Sequence, residues 1–428
     1  MTKHEFPRIQ EAYEQQVLSN GLTVRVVKRP GFAKKYAILA VNFGSIDTTF
    51  TKDGIRYETP AGVAHYLEHK MFDLPEGNAM SRFAAYGGSD NAFTSQAATA
   101  YYVDCTDFFE ENLETLVTMV MTPHFTPESV EKERGIIAQE IKMYEDSPGS
   151  VVVEDLLSAM YATHPIRESI AGTTQSIGEI TAETLYDCYN AFYVPSNMIL
   201  CVVGDVDAAS VVQQVEKLLP DTGPAPAVSD YGPEESLIPP CHRVTRRMEI
   251  SMPTFQLGFR CPAPELGNDV LRQEIVADLA LEVLLGESSG LYESMYEEGL
   301  IDSSFGGYYE QTKNVAMLAC GGDSDDPDAV LERLLEEVQR LKEEGIDPEL
   351  FRRLKRAAIG SRIRSLDSFE GVAFRLCGYF FEKTEYYRFP EVFASVNEQQ
   401  VLDFLVDTVQ RERAAIAIIY PLEKEVQA

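Results

Sequence analysis

The sequence repeats its pattern of residues after about 220 positions. The run TPESVEKERGIIAQEI at 126–141 has a counterpart in DPELFRRLKRAAIGSRI at 347–363. Similarly, AYYVDCTDFFEENLETL at 100–116 resembles VAMLACGGDSDDPDAVLERL at 315–334. The first pair has helical periodicity, and the second begins with a strand-like run that leads into a helix. We therefore predict a duplicated α+β domain.

A segment rich in proline, glycine and acidic residues separates the two copies, LLPDTGPAPAVSDYGPEESLIPP at 218–240. Such a composition is typical of a linker. At 428 residues, of which 45% are hydrophobic, the chain is long enough for more than one domain. We predict one domain at 1–220, a linker at 221–240 and a homologous domain at 241–428.

Strand and helix signals alternate along the first copy. The predicted elements are strands in LSNGLTVRVVKRP and KKYAILAVNFGS, a helix at 59–72, a return to strand in SDNAFTSQAATAYYVDCTDFF, helices at 107–122 and from Pro127 to about Tyr144, further helices through 150–192, and a buried strand in MILCVVGDV.

The helix at 59–72 has the signals of a start and of an apolar face. Thr59 can cap its N-terminus and Pro60 suits its first turn. Val63, Leu67 and Met71 recur at helical spacing and predict a buried stripe.

This helix also carries two of the six histidines of the chain, in the order His-x-x-Glu-His. At about 100° per residue, His65 and His69 lie within about 40° of each other, and Glu68 lies within about 60° of His65. Two imidazoles at this spacing can chelate a divalent metal, and a neighbouring carboxylate can accept a proton from water. The alternative is that these are ordinary core or surface residues, which a lone histidine would favour. The complete pattern on one helix favours a metal site.

The second copy lacks this pattern. Its corresponding segment, GESSGLYESMYEEGL at 286–300, contains no histidine. With the two long helices superposed, Glu133 corresponds to Leu354 and Glu140 corresponds to Ser361. Because a purely structural role should persist in both copies, we predict metal chemistry in the first copy alone.

A third ligand is available on the helix that starts at Pro127. Glu133 and Glu140 are seven residues apart and lie within about 20° on one face. Two such carboxylates usually form a solvated face, which is the alternative interpretation. The apolar surroundings GIIAQEIKMY favour a Glu140 that points into protein, where an ionised carboxylate needs a partner such as a metal.

Composition excludes several classes of function. A net charge of −31 argues against a general nucleic-acid binder and is compatible with basic or neutral polypeptide substrates. No run of 18 apolar residues occurs, and MTKHEFPRIQEAYEQQ lacks the apolar centre of a signal peptide, so we expect a cytoplasmic protein. The seven cysteines are scattered, and we expect buried reduced thiols rather than disulfides or a metal cluster.

Five segments carry a family resemblance: HYLEHKMF, NAFTSQAATAYY, EKERGIIAQEIKMYED, HPIRESIAGT and FYVPSNMILCVVGDVD. In this order they resemble the pitrilysin, insulinase and mitochondrial processing peptidase family of inverted zinc proteases, in particular its short bacterial members. The resemblance covers essentially the whole chain and is strongest in the first half. It implies two tandem homologous domains, each a mixed and mainly antiparallel sheet flanked by helices, which form half of a clamshell chamber.

The resemblance also implies a zinc-dependent endopeptidase that cleaves peptides or small unfolded polypeptides. It implies His65, His69 and Glu140 as ligands of one zinc ion per chain. Glu68 would then be the general base, and Glu133 would be a supporting carboxylate of the catalytic centre.

The segment NAFTS at 91–95 resembles the edge strand on which substrates of the family pair as an added strand. The resemblance thus makes Asn91, Ala92 and Phe93 candidate substrate-binding residues. The alternative, an ordinary strand of the domain sheet, is compatible with this role.

The chain departs from the family in LYESMYEEGLIDSSF at 291–305. Active members usually carry an arginine and a tyrosine seven residues apart there, and this chain has Tyr296 and Ser303. A tyrosine cannot supply the charge and the fork of donors of a guanidinium. We therefore expect a zinc-bearing subunit that forms a heterodimer with a homologous subunit supplying Arg and Tyr, or else a homodimer of low activity.

Two other functions remain open at this stage. One is a non-catalytic scaffold or interaction subunit of the same family, against which the intact His-x-x-Glu-His motif argues. The other is a metal-dependent hydrolase of non-peptide substrates, for which the sequence has no nucleotide- or sugar-binding signature.

Overall fold

The computed structural model describes residues 1–423. In chain order its strands are Thr2–Phe6 (β1), Glu11–Val17 (β2), Thr23–Lys28 (β3), Lys35–Val41 (β4), Thr49–Lys52 (β5), Ile55–Glu58 (β6), Asp73–Leu74 (β7), Gly77–Asn78 (β8), Ser89–Thr94 (β9), Thr99–Cys105 (β10), Met198–Gly204 (β11), Val228–Ser229 (β12), Arg243–Met248 (β13), Thr254–Cys261 (β14), Gly306–Thr312 (β15), Val315–Asp323 (β16) and Ala414–Pro421 (β17).

The α-helices are Val63–Lys70 (α1), Ala79–Ala85 (α2), Phe109–Met121 (α3), Pro127–Glu145 (α4), Pro148–Met160 (α5), Thr174–Gly178 (α6), Ala182–Phe192 (α7), Ala208–Leu218 (α8), Asn268–Leu285 (α9), Gly290–Glu297 (α10), Pro327–Glu344 (α11), Pro348–Arg364 (α12), Phe369–Phe381 (α13), Phe389–Ser395 (α14) and Glu398–Thr408 (α15). Single turns of 3-10 helix lie at Pro165–Arg167, Pro195–Asn197, Ser365–Asp367, Tyr386–Arg388 and Arg411–Arg413.

The two main sheets share one strand order. The seven-stranded sheet runs β1-β2-β3-β11-β4-β10-β9, and the five-stranded sheet runs β13-β17-β14-β16-β15. In both sheets one pair is parallel, β3 with β11 and β13 with β17, and the other pairs are antiparallel. The larger sheet adds β1 and β2 beyond β3. The predicted α+β class with two homologous, mainly antiparallel sheets is confirmed.

The helices repeat as well. After the strand β10 come α3 and α4, and after the equivalent strand β16 come α11 and α12. Both α4 and α12 begin with a proline, which suits the first turn of a helix because its missing N–H would have no partner there. The helices predicted at 107–122 and from Pro127 to about Tyr144 are therefore confirmed within a residue or two.

The chain forms two compact units that are not contiguous in sequence. One comprises Met1–Ile141, Ser169–Tyr231 and Arg362–Arg388. The other comprises Lys142–Glu168, Gly232–Ser361 and the described residues from Phe389 onward. The predicted boundaries near 220 and 240 refer to contiguous halves and stay a prediction. The compact units differ from contiguous halves because each unit includes one helix from the opposite half of the chain.

In the first unit this helix is α13, which packs on β11 and β4. Helix α13 contacts a buried arginine of the sheet. The Arg25 guanidinium donates to the carbonyl oxygen of Leu376, and its Cζ lies 4.7 Å from the centre of the Tyr13 ring and 5.2 Å from that of Phe380. Both faces of a central sheet need a cover to bury their apolar side chains, and α13 supplies it on one face. The core on the other face includes residues of α1, α3 and α4.

In the second unit the corresponding helix is α5, which packs on β14 and β17. Its Asp155 accepts two hydrogen bonds from the Arg246 guanidinium, at 2.6 and 2.7 Å. Such a bidentate pair holds the helix in a defined orientation over the sheet.

The segment predicted as a linker contains a strongly anchored residue, Glu235. Its carboxylate accepts hydrogen bonds from the backbone N–H groups of Ala162, Thr163 and His164, at 3.1, 2.6 and 2.8 Å. The buried guanidinium of Arg260 lies 3.7 Å from the same carboxylate. The 232–240 stretch is thereby held against the end of α5 in the second unit.

The structure bears on the expected state of the cysteines and on the presence of helices that could span a membrane. Six of the seven cysteines are buried thiols, and Cys241 is exposed. Within residues 1–423, none of the helices combines the length and the apolar character that a membrane crossing requires.

Candidate metal centre

Helix α1 begins later than predicted. Its N-cap is Gly62, which has φ 91°, and the hydroxyl of Thr59 donates instead to the carbonyl oxygen of Thr48 at 3.0 Å. The prediction of Thr59 as the cap is therefore wrong. The reason is a close approach between distant parts of the chain, since a Cβ at Gly62 would lie 2.5 Å from the carbonyl oxygen of Ala171. Only glycine combines this left-handed backbone with such a contact.

The apolar stripe of α1 is confirmed. Val63, Leu67 and Met71 are at most 1% exposed. The helix is tied to α4 by the Tyr66 hydroxyl, which donates to the carbonyl oxygen of Val130. Burial and this bond set the position of α1 relative to α4, and hence the position of the histidines relative to the glutamates.

His65, His69 and Glu140 converge. Nε2 of His65 lies 3.6 Å from Oε1 of Glu140, and Nε2 of His69 lies 3.5 Å from Oε2. One ligand atom of each residue lies within 4.8 Å of the others. These distances are too long for strong hydrogen bonds. They match the separation of about 3.4 Å expected for two donors that each lie about 2.1 Å from a tetrahedral zinc ion. The donor set of two imidazoles and a carboxylate therefore fits zinc.

Glu133 orients one of these imidazoles. Nδ1 of His69 lies 3.0 Å from Oε1 of Glu133. When Nδ1–H is donated to the carboxylate, Nε2 keeps its lone pair and faces Glu140. Burial by itself lowers the pKa of His69, but the bond to Glu133 and the charges of Glu68, Glu133 and Glu140 outweigh it, so the pKa is raised. The site is thus strongly negative and favours a cation.

The ring of His65, unlike that of His69, is held by packing. Its Nδ1 is buried and has no hydrogen-bond partner within residues 1–423. Its ring packs edge-on against that of His69, with centroids 4.7 Å apart and planes at 65°. The orientation of His65 therefore depends on packing, and that of His69 depends on a carboxylate.

Glu68 lies beside the two imidazoles and is 8% exposed. Burial raises the pKa of Glu68, and the charge of Glu140 adds to the effect, although a hydrogen bond from Thr94 and the imidazoles oppose it. A carboxylate with a raised pKa accepts a proton more readily near neutral pH.

Sequence reasoning did not single out Thr94, whose hydroxyl donates to Oε2 of Glu68 at 2.6 Å. Thr94 is the last residue of β9, and Glu68 lies 26 positions earlier on α1. No local pattern in the sequence could have indicated a bond between a helix and a strand. The only signal was its place within NAFTS.

The candidate substrate-binding residues Asn91, Ala92 and Phe93 lie on β9, at the end of the seven-stranded sheet. In the described part of the chain β9 pairs only with β10, so the expectation of an edge strand is confirmed. Ala92 packs against the core, and the Phe93 ring lies 4.8 Å from that of Phe374. The role of these residues in substrate binding stays a prediction.

Tyr296 and Ser303 lie in the second unit. Tyr296 is near the end of α10, is 52% exposed and stacks on Tyr292. Ser303 is exposed in the turn before β15. Tyr296 offers no guanidinium where the family usually has an arginine, and Ser303 offers no phenol where the family usually has a tyrosine.

Comparison with protein families gives two matches. The model described as insulinase, peptidase family M16, matches residues 50–174, which include His65, Glu68, His69 and Glu140. The model described as the peptidase M16 inactive domain matches residues 179–358. The division agrees with the absence of the histidine motif from the second copy.

Individual proteins are similar over nearly the full length. The uncharacterized zinc protease YmfH of Bacillus subtilis (strain 168) is 35% identical over 425 residues, which are 97% of this chain and 98% of that protein. The crystal structure of a putative M16-like peptidase from Alicyclobacillus acidocaldarius has a TM-score of 0.91 and 32% identity, and covers 96% of this chain and 99% of its own.

A protease from Helicobacter pylori shows the same fold at 19% identity, with a TM-score of 0.83 over 96% of this chain and 99% of its own. The family models, the full-length relative and the convergent donor set agree with one another. This chain belongs to the insulinase family of peptidases, family M16.

Proposed function

We propose that this chain is a zinc-dependent endopeptidase, or the zinc-bearing subunit of one. The observation that carries the proposal is the convergence of His65, His69 and Glu140, with the buried carboxylate of Glu68 beside them. Zinc with three protein ligands keeps a coordination position open, as catalytic sites require. When bound, zinc supplies a Lewis acid that polarises the scissile carbonyl group and makes water more acidic.

The residues of the chain perform the proton transfers. Oε2 of Glu68 accepts the bond from Thr94, so Oε1 is the oxygen that takes the proton of the attacking water. As the oxygen of water bonds to the carbonyl carbon and the C–N bond breaks, the same carboxyl group returns the proton to the leaving nitrogen. The raised pKa of Glu68 suits both steps.

We propose an extended peptide as the substrate. The open backbone edge of β9 can pair with an added strand, and Asn91, Ala92 and Phe93 would then position the peptide. Main-chain pairing requires an unfolded segment, because a folded substrate has few free backbone groups. The net charge of −31 favours basic or neutral peptides.

A homologous partner subunit is the second part of the proposal. Tyr296 and Ser303 stand where the family usually has an arginine and a tyrosine, and a lost oxyanion donor typically costs about 3 kcal/mol of transition-state stabilisation. We propose that a partner without the His-x-x-Glu-His motif supplies these two residues in a heterodimer. The chain alone would be a monomer or homodimer of low turnover.

The test compares zinc content and peptide cleavage in matched variants. His65→Ala should lose zinc, and His242→Ala, at an exposed histidine of the second unit, should retain it. Glu68→Gln should keep about one zinc per chain and lose roughly 10²–10⁴-fold in turnover, because an amide cannot accept the proton.

Loss of zinc from Glu68→Gln would make Glu68 a ligand and overturn the assigned roles. Unchanged turnover in Glu68→Gln would show that Glu68 is not the general base. Absence of peptide cleavage by the zinc-loaded chain, with or without a homologous subunit, would instead favour the non-catalytic scaffold function. For the partner, full turnover by the lone chain, unaffected by Tyr296→Ala or by a homologous subunit, would contradict the heterodimer.

A further inference from the structure

We propose that Thr94 is a positioning residue for the general base, a role that rests on the proposed function of Glu68. The Thr94 hydroxyl donates to Oε2 of Glu68 at 2.6 Å. Within residues 1–423, no other hydrogen-bond donor to this carboxylate is found. The bond therefore decides which of the two carboxylate oxygens is engaged and which is left for the proton of water.

The energetic reason is burial. Glu68 is 8% exposed and belongs to a helix with almost no exposed side chains. A buried carboxylate without a donor is unfavourable and tends to rotate, protonate or admit water. A short bond to a charged acceptor is stronger than a neutral one, and it holds the carboxylate in one rotamer.

Thr94 is itself fixed by the strands around it. Its Oγ1 lies 3.4 Å from Oγ1 of Thr99, which is directly opposite on β10. The Thr99 hydroxyl in turn donates to the carbonyl oxygen of Phe43 at 2.9 Å. Thr99 is buried, and so is Phe43. The sheet thus sets the position of the Thr94 hydroxyl, and the hydroxyl sets the position of the base.

Strand β9 therefore has two functions in this proposal. Its open backbone edge is the place where the substrate strand would pair, and its last side chain holds the base. An added strand would stiffen β9 and hold Thr94 in place. Binding of the peptide backbone is in this way linked to orientation of Glu68.

The first test uses Thr94→Val, which keeps the branched shape but removes the hydroxyl, and Thr94→Ser, which keeps the hydroxyl. The assay is peptide cleavage by the zinc-loaded chain, together with a homologous partner if that partner raises turnover. Thr94→Val should lower kcat about 10- to 100-fold with little change in KM, because the base is misplaced while the metal and the strand remain. Thr94→Ser should recover most of the loss, and zinc content should be the same in both.

Thr51→Val is the matched control, since Thr51 is an exposed threonine of β5 in the same unit. It should leave kcat and Tm unchanged. If Glu68→Gln abolishes turnover but Thr94→Val has the kcat of the unmodified chain, the positioning role is wrong and the proposed function stands. If Glu68→Gln keeps turnover, the proposed function itself fails.

A second test does not depend on activity. In the metal-free chain, Thr94→Val should lower Tm clearly, because it leaves a buried carboxylate without a donor. In the Glu68→Ala background the same change should lower Tm much less, since the acceptor is gone. Equal shifts in the two backgrounds would show that Thr94 does not act through Glu68 and would overturn the inference.

Discussion

Replacing Glu235 by glutamine should destabilise the second unit. Glu235 lies in the stretch that follows Tyr231, and its side chain is 5% exposed. Burial by itself raises the pKa of Glu235, but bonds from the backbone of Thr163, Ala162 and His164 and from the Thr163 hydroxyl outweigh it and lower the pKa to about 2. A glutamine can accept only part of these bonds and leaves the Arg260 charge without a counter-ion.

The magnitude follows from the pKa. The difference between the ordinary value of 4.5 and about 2 corresponds to about 3 kcal/mol at pH 7. Because solvent screens part of this interaction, we expect the free energy of unfolding to fall by about 2 kcal/mol in Glu235→Gln. A lowered carboxylate pKa stabilises the folded state above the unfolded pKa, and the benefit is lost as pH falls toward the folded pKa. Roughly a quarter should be lost by pH 4 and more than half by pH 3.

The assay is urea unfolding of the full chain at pH 7, 5, 4 and 3. The control is Glu234→Gln, which makes the same chemical change at the exposed neighbouring residue and should have little effect at any pH. The difference between Glu235→Gln and the unmodified chain should be largest at pH 7 and shrink on acidification. A difference that is absent at pH 7, or that stays constant down to pH 3, would refute the reasoning.

Two further predictions concern the metal centre. Glu133→Gln should lower zinc affinity about 10- to 100-fold in a chelator titration, because the amide orients His69 less firmly, whereas Glu128→Gln at the exposed start of the same helix should not. Gly62→Ala should destabilise the chain by about 2 kcal/mol and reduce zinc content. The alanine would have to adopt a left-handed backbone conformation, and its Cβ would clash with the carbonyl oxygen of Ala171. Gly135→Ala, in an open helical position on α4, should instead stabilise the chain by about 0.5–1 kcal/mol, and urea unfolding of both glycine variants measures the two effects. Zinc retention by Gly62→Ala, or equal loss of zinc in the two glutamate variants, would contradict these expectations.

Features that depend on local geometry could be predicted from the order of residues alone. The spacing of His65 and His69 puts both imidazoles on one side of a helix wherever that helix lies, because the rotation per residue is a property of the backbone. Glu133 and Glu140 share a face for the same reason. The repeat likewise predicted two equivalent sheets, since the periodicity of each segment reports its own secondary structure. The apolar surroundings of Glu140 favoured it as the third ligand, and the resemblance to the family implied the same assignment.

Features that join residues far apart in the chain depend on how the elements pack in three dimensions. The left-handed start of α1 at Gly62 depends on the position of Ala171, and the donor that holds Glu68 comes from the end of a strand. The exchange of α5 and α13 between the units has a similar origin, because an amphipathic helix shows that it needs an apolar partner and does not show which sheet will supply one. These contacts result from the packing of many side chains together, and no short stretch of sequence contains both members of such a pair.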